Sequence, residues 1–161
     1  MTLVRRLQSH TPDPTASGRT MWCGPYAVAV LSRASYDAAF EDIRRLLGVK
    51  RLQGMHDRDL VAAITRPGLY RIAERARFRG AGRVPGMSYR ANAAPREDRP
   101  TFAGWLRTRD RQQAYLVCLN GHYLVVAGDR VIDNQMKTWT PVGASRHRRV
   151  RVREAWRLEP A

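Results

Sequence analysis

Residue type and spacing first permit chemistry at a cysteine followed by Gly-Pro and an apolar run, Cys23-Gly24-Pro25-Tyr26-Ala27-Val28-Ala29. Pro25 fits a first helical turn, where no intrahelical donor is needed. The run therefore reads as a loop entering a helix at the cysteine. Free N–H groups and the positive end of the helix dipole there favour a thiolate. A second place is Asn120-Gly121-His122-Tyr123-Leu124-Val125-Val126, with a histidine at the start of a strand. A third is Val131-Ile132-Asp133-Asn134, with a carboxylate and an amide at the end of the following strand. A thiol, an imidazole that can take its proton, and a polar group that orients the imidazole are the parts of a nucleophilic site.

The elements around these residues decide whether they can meet. Gly128-Asp129 reads as the turn between strands Tyr123–Ala127 and 130–133. With a two-residue turn, His122 shares a sheet face with Asp133; a three-residue turn or a bulge would select Asn134. Ala114–Leu119 forms another strand, and Trp139 begins a further strand region. Residues 149–153 alternate Arg with Val, the pattern of an edge strand with one wet face. Upstream, the spacing predicts helices over 24–33, Tyr36–Leu47 with Ser35 as N-cap, and 59–65, with a start at Asp57 or Arg58. Thr101 caps a short helix over 102–106. Residues 3–7 read as a leading strand, residues 70–78 as a strand or an irregular basic segment, and residues 80–100 as a long surface loop. Helices first and an antiparallel sheet after them define an α+β chain, expected to form one domain over residues 1–161.

The chain has 161 residues with 43% hydrophobic and 27% charged positions, values of a folded rather than a disordered protein. No apolar stretch approaches the roughly 20 residues that cross a bilayer, so no transmembrane association is expected. No apolar block follows Arg5 and Arg6, so the expectation is no signal peptide and a cytoplasmic location (a host's cytoplasm if phage-encoded). Two cysteines make no disulfide framework. Cys118, inside Tyr115-Leu116-Val117-Cys118-Leu119, reads as a small buried hydrophobe. Cys23, His122 and Asp133 lack the paired spacing of a zinc site, and no phosphate loop or dinucleotide fingerprint is present, so no metal or cofactor is expected. His10, His56 and His147 have no comparable setting and read as surface or structural residues.

The two motifs in this order, Cys23-Gly24-Pro25 with its helix and Gly121-His122-Tyr123 with its strand and Asp133-Asn134, resemble the papain-like cysteine peptidase superfamily. The style is that of compact bacterial and phage members related to the C39 group of peptidases. The resemblance implies a papain-like fold, with N-terminal helices packed on a C-terminal antiparallel sheet. It implies Cys23 as nucleophile, His122 as base and Asp133 as orienting group, with Asn134 as its rival. The family's oxyanion Gln, about six residues before the cysteine, is replaced here by Ser17, which becomes the oxyanion candidate. The implied activity is hydrolysis of a peptide, isopeptide or other amide bond through a thioacyl-enzyme, or acyl transfer with the same residues. Two alternatives stand beside it: a catalytically degenerate basic protein with a structural, packaging or host-interaction role, and a peptidoglycan amidase.

Charge supplies the basis for the second reading. Twenty-nine basic residues face 14 acidic ones, a net charge of +15, and all the basic residues except Lys50 and Lys137 are Arg. Such a balance attracts nucleic acid or an acidic protein partner. One series is Arg66, Arg71, Arg75, Arg77, Arg79 and Arg83. The other, Arg146, Arg148, Arg149, Arg151, Arg153 and Arg157, is the candidate nucleic-acid contact, with Arg149, Arg151 and Arg153 on one strand face.

Overall fold

Ser35 and Gly48 bracket the helix with the clearest amphipathic pattern. The Ser35 side chain accepts from the Ala38 N–H, and Gly48 ends the helix at φ +66°, a left-handed conformation suited to glycine. A computed structural model gives the structure of the protein and describes residues 1–78 and 99–161. All but the last two residues of the expected 80–100 loop therefore lie outside the described residues, as do Arg79 and Arg83. The order of elements is α1 Leu3–Gln8, α2 Cys23–Ser32, α3 Tyr36–Leu47, α4 Asp57–Thr65, β1 Tyr70–Arg77, α5 Phe102–Thr108, β2 Ala114–Leu119, β3 Tyr123–Ala127, β4 Arg130–Ile132, β5 Thr140–Pro141 and β6 Val152–Pro160.

Among the described residues the strands form one six-stranded antiparallel sheet in the order β1-β6-β2-β3-β4-β5. Period-two alternation divides its centre between two cores. Leu116, Cys118, Tyr123 and Val125 face the layer of α2, α3 and α4, whereas Tyr115, Val117, Leu124 and Val126 face Phe102, Trp105 and Leu106 of α5. The class is α+β.

Three local expectations change. Residues 3–8 are a helix, not a strand: Thr2 caps it by accepting from the Arg5 N–H, and Leu7 is fully buried. Residues 149–151 precede the last strand, and β6 is interior, with β1 on one side and β2 on the other. Its length and its apolar Val152, Ala155, Trp156 and Leu158 suit a strand buried on both faces, which the Arg–Val alternation just before it concealed. Residues 70–77 are a strand, β1, which pairs antiparallel with β6 through a register shift between Ile72 and Glu74.

Candidate active site

The N-terminus of α2 meets the turn between β2 and β3. Cys23 is the first helical residue after Trp22, and every later residue of α2 up to Leu31 is buried. The helix therefore fills the core between sheet and helical layer, and its first turn opens beside the sheet end. Gly24 allows close approach: a Cβ there would lie 3.0 Å from the Met55 sulfur. On the sheet side, Asn120-Gly121 forms a tight turn, with Gly121 at φ +83° and the Leu119 N–H donating to the His122 carbonyl at 2.8 Å. That turn sets His122 at the start of β3.

Asp133 follows β4 directly. The β3–β4 turn has two residues, Gly128 and Asp129, since Ala127 pairs with Arg130. This register puts Asp133 on the face of His122. His122 Nε2 lies 2.6 Å from Asp133 Oδ2. The carboxylate is buried and accepts the Gln135 and Met136 N–H groups on Oδ1, at 2.9 and 2.7 Å. Asn134 has another task. Its amide donates to the Met21 carbonyl at 2.8 Å and fastens the sheet end to the segment leading into Cys23.

The protonation of these groups follows from their contacts. Burial alone would raise the Cys23 pKa. A hydrogen bond to His122, the Tyr123 and Gly24 backbone groups and the charge of His122 outweigh it, and the net shift is downward. His122 is pushed the other way: burial disfavours its charged form, but Asp133 and Cys23 raise its pKa to about 9. Asp133 is held below the usual carboxylate range by both histidines and the Met136 N–H, against the opposing effect of burial. Because the carboxylate is an acceptor only, His122 Nε2 carries the proton toward it, which leaves Nδ1 for the sulfur. The arrangement favours a thiolate–imidazolium pair braced by a carboxylate.

A second histidine, His147, completes the group. Its Nε2 also lies 2.6 Å from Asp133 Oδ2, and its ring centroid is 4.9 Å from that of His122. The residue is buried, between exposed Arg146 and Arg148. The expectation of a surface or structural role thus omitted a direct partner of the orienting carboxylate. The inward turn depends on a loop fold: the His147 N–H donates to Ser145 Oγ and the Val150 N–H to the His147 carbonyl. No local periodicity signals it. The donor atoms of His122, Asp133 and His147 lie within 4.8 Å of one another and are the residues that could collect a metal ion. Their 2.6 Å contacts are hydrogen-bond spacings. Tetrahedral ligands on a zinc ion sit about 3.3 Å apart, so an ion would have to spread these groups.

The other candidates lie elsewhere. Ser17 Oγ is tied to Thr15 at 2.8 Å and accepts from Arg19 at 2.9 Å, in a network anchored on Asp37. Cys118 is completely buried, and burial pushes its thiol up to about 12. His10 holds the Ala34 carbonyl at 3.2 Å, and His56 is exposed at the start of α4. In the second arginine series, Arg153 pairs with Asp57 at 2.5 Å and Arg157 with Glu159 at 2.8 Å. Arg151 donates to the Arg99 carbonyl at 2.7 Å. The row over 149, 151 and 153 is therefore not an exposed strand face, while Arg146, Arg148 and Arg149 are exposed. No helix among the described residues is long and apolar enough to cross a membrane. No family model, curated protein or solved structure matches the chain.

Proposed function

We propose that the protein is a cysteine hydrolase of papain-like organisation that cleaves an amide bond through a thioacyl-enzyme. One observation carries the reading: His122, whose Nε2 lies 2.6 Å from the buried Asp133 carboxylate, lowers the pKa of the Cys23 thiol while its own is raised. In this mechanism the Cys23 thiolate attacks the substrate carbonyl carbon and a C–S bond forms. The oxyanion lies at the N-terminus of α2, where the Cys23 N–H and the helix dipole stabilise it. His122 gives its proton to the leaving nitrogen, and the C–N bond breaks. Neutral His122 then takes a proton from water as the water attacks the thioester. The C–S bond breaks, the acid leaves, and the ion pair is restored. Trp22, 38% exposed and next to the nucleophile, offers an apolar surface to the substrate.

A generic activated ester tests the reaction without knowledge of the natural substrate. With p-nitrophenyl acetate, the expected result is a burst of one equivalent of p-nitrophenolate and an acetyl group on Cys23 in acid-quenched peptide mass spectra. Cys23→Ala removes both, and His122→Ala slows acylation by about 10². Undiminished turnover in Cys23→Ala, or acetylation at other residues only, overturns the reading.

A further inference from the structure

The sheet face covered by α5 carries a second feature that the thiol site does not use. Arg107, Arg109, Arg111 and Arg148 line a cavity of about 300 Å³ with Asp129 as the single carboxylate. Arg148 and Arg149 line a second hollow of about 340 Å³. The two hollows share Ala103 and Arg148, so they form one track. Its two walls are fixed to each other, because the Ala103 N–H of α5 donates to the Arg148 carbonyl at 3.0 Å.

Several arginines elsewhere on the surface are neutralised locally. Arg19, Arg44, Arg45, Arg71 and Arg157 all pair with carboxylates. Among the described residues no carboxylate pairs with the five arginines of the track. Arg109 is half-buried with its guanidinium on the Leu106 and Gly128 carbonyls, and its Nε is buried without a hydrogen-bond partner. Five guanidiniums face a single lining carboxylate, Asp129; such an excess of positive charge repels itself, and an anionic ligand would offset that cost. Trp105 beneath the track is buried, and no aromatic side chain lines either hollow, so unpaired bases find no stacking surface. A hollow spanning several guanidiniums suits a ligand that repeats its negative charge.

We infer that the α5 track binds the phosphate backbone of double-stranded nucleic acid, without reading sequence, at a site separate from Cys23. The contacts replace an edge-strand row at 149–153 by a surface shared between α5, its C-cap Arg109, Arg111 two residues on, and the loop before β6.

The test is binding of a random-sequence 20-base-pair DNA duplex by fluorescence anisotropy across several salt concentrations. With four phosphates neutralised, the log affinity falls with log salt at a slope of about −3.6, roughly a 10²-fold loss between 50 and 200 mM. The variant Arg107→Gln/Arg111→Gln/Arg148→Gln is expected to bind at least tenfold more weakly at low salt and to flatten the slope toward about −1. A control with the same charge loss elsewhere, Arg5→Gln/Arg45→Gln/Arg71→Gln, is expected to change affinity by less than about threefold, because only long-range attraction is reduced. Both variants should keep the circular dichroism and the Cys23 alkylation rate of the wild type. Equal weakening in both variants would show net charge alone and overturn the site. So would salt-independent binding, no wild-type binding at low salt, or displacement of the duplex by polyglutamate at equal charge concentration, which would point to an acidic protein.

Discussion

The N-terminus of α2 and the C-terminal end of β2 each hold a free cysteine against the same core. At α2, burial is incomplete, and a histidine and two backbone groups surround the sulfur, so the thiolate is favoured. In β2, the Cys118 sulfur is completely enclosed, its S–H donates to the Leu119 carbonyl at 3.1 Å, and the thiolate is strongly disfavoured. Reactivity is thus a property of position. In the strand, burial outweighs the stabilisation that Arg153 and the Gly121 backbone offer a thiolate, whereas a helix start presents unsatisfied N–H groups.

The largest expected effect is on alkylation. With its pKa near 12, Cys118 has a thiolate fraction of about 10⁻⁵ at pH 7, apart from being inaccessible. Iodoacetamide should label Cys23 at least 10³-fold faster in the native protein, resolved by peptide mass spectrometry. Comparable rates would erase the distinction between the two regions.

The support of the imidazole gives the next effect. Asp133→Asn should lower the rate of ester hydrolysis by 10- to 100-fold. It should also move the alkaline limb of the pH–rate profile. In the wild type that limb lies near pH 9, where His122 loses its proton. Removing the carboxylate lowers the His122 pKa, so the limb moves to lower pH. An unmoved limb would separate Asp133 from the titration. The limits of the profile belong to the coupled thiol and imidazole together.

Stability should follow the same groups in opposite directions of pH. His122 has a folded pKa raised to about 9. Its contribution is fully present below its unfolded value of about 6.5 and is lost as pH rises through about 9. The melting-temperature gap between wild type and His122→Gln should therefore narrow from pH 6 to pH 10. The Asp133 pKa is depressed. Its contribution is present above the unfolded value of about 3.9 and is lost as pH falls through the folded value. A gap that widens at alkaline pH would contradict the raised imidazole pKa.

His147 should matter less than Asp133, because the Gln135 and Met136 N–H groups also hold the carboxylate. His147→Gln, which keeps a donor, is expected to reduce ester hydrolysis only a few-fold. A 10²-fold loss in rate would make His147 as important as Asp133. The smallest effects are on stability. Cys118→Ala should cost about 1 kcal/mol in denaturant unfolding, as removal of a buried group leaves a small cavity. Cys23→Ala should change stability by under about 0.5 kcal/mol while eliminating acylation.

The helices with complete punctuation were legible from residues alone. Ser35 and Gly48 bound α3, Thr101 caps α5 by accepting from the Gly104 N–H, and Pro25 fits only in the first turn of α2. Strands β2 and β3 were legible as continuous apolar runs. Local hydrogen bonds and side-chain period decide such elements, and these are properties of neighbouring residues. The α1 segment misled because six residues fit either period; the Thr2 cap and the packing of Leu7 into the core select the helix.

Sequence by itself also determined the chemical parts of the site. It placed Cys23 at a helix start and His122 at a strand start, and left Asp133 or Asn134 as the orienting group; the two-residue turn of the fold is what puts Asp133 on the His122 face. Tertiary structure decided what lies far apart in sequence. It set β6 in the interior of the sheet, turned His147 inward between two exposed arginines, drew Arg153 and Arg157 of the last segment into ion pairs, and gathered Arg148 and Arg149 with the arginines around α5, where no ion pair forms among the described residues. The physical reason is range. Backbone conformation depends on adjacent residues, but burial and charge pairing depend on which distant segments the two cores bring together. A histidine beside a carboxylate and an arginine without one are products of that assembly.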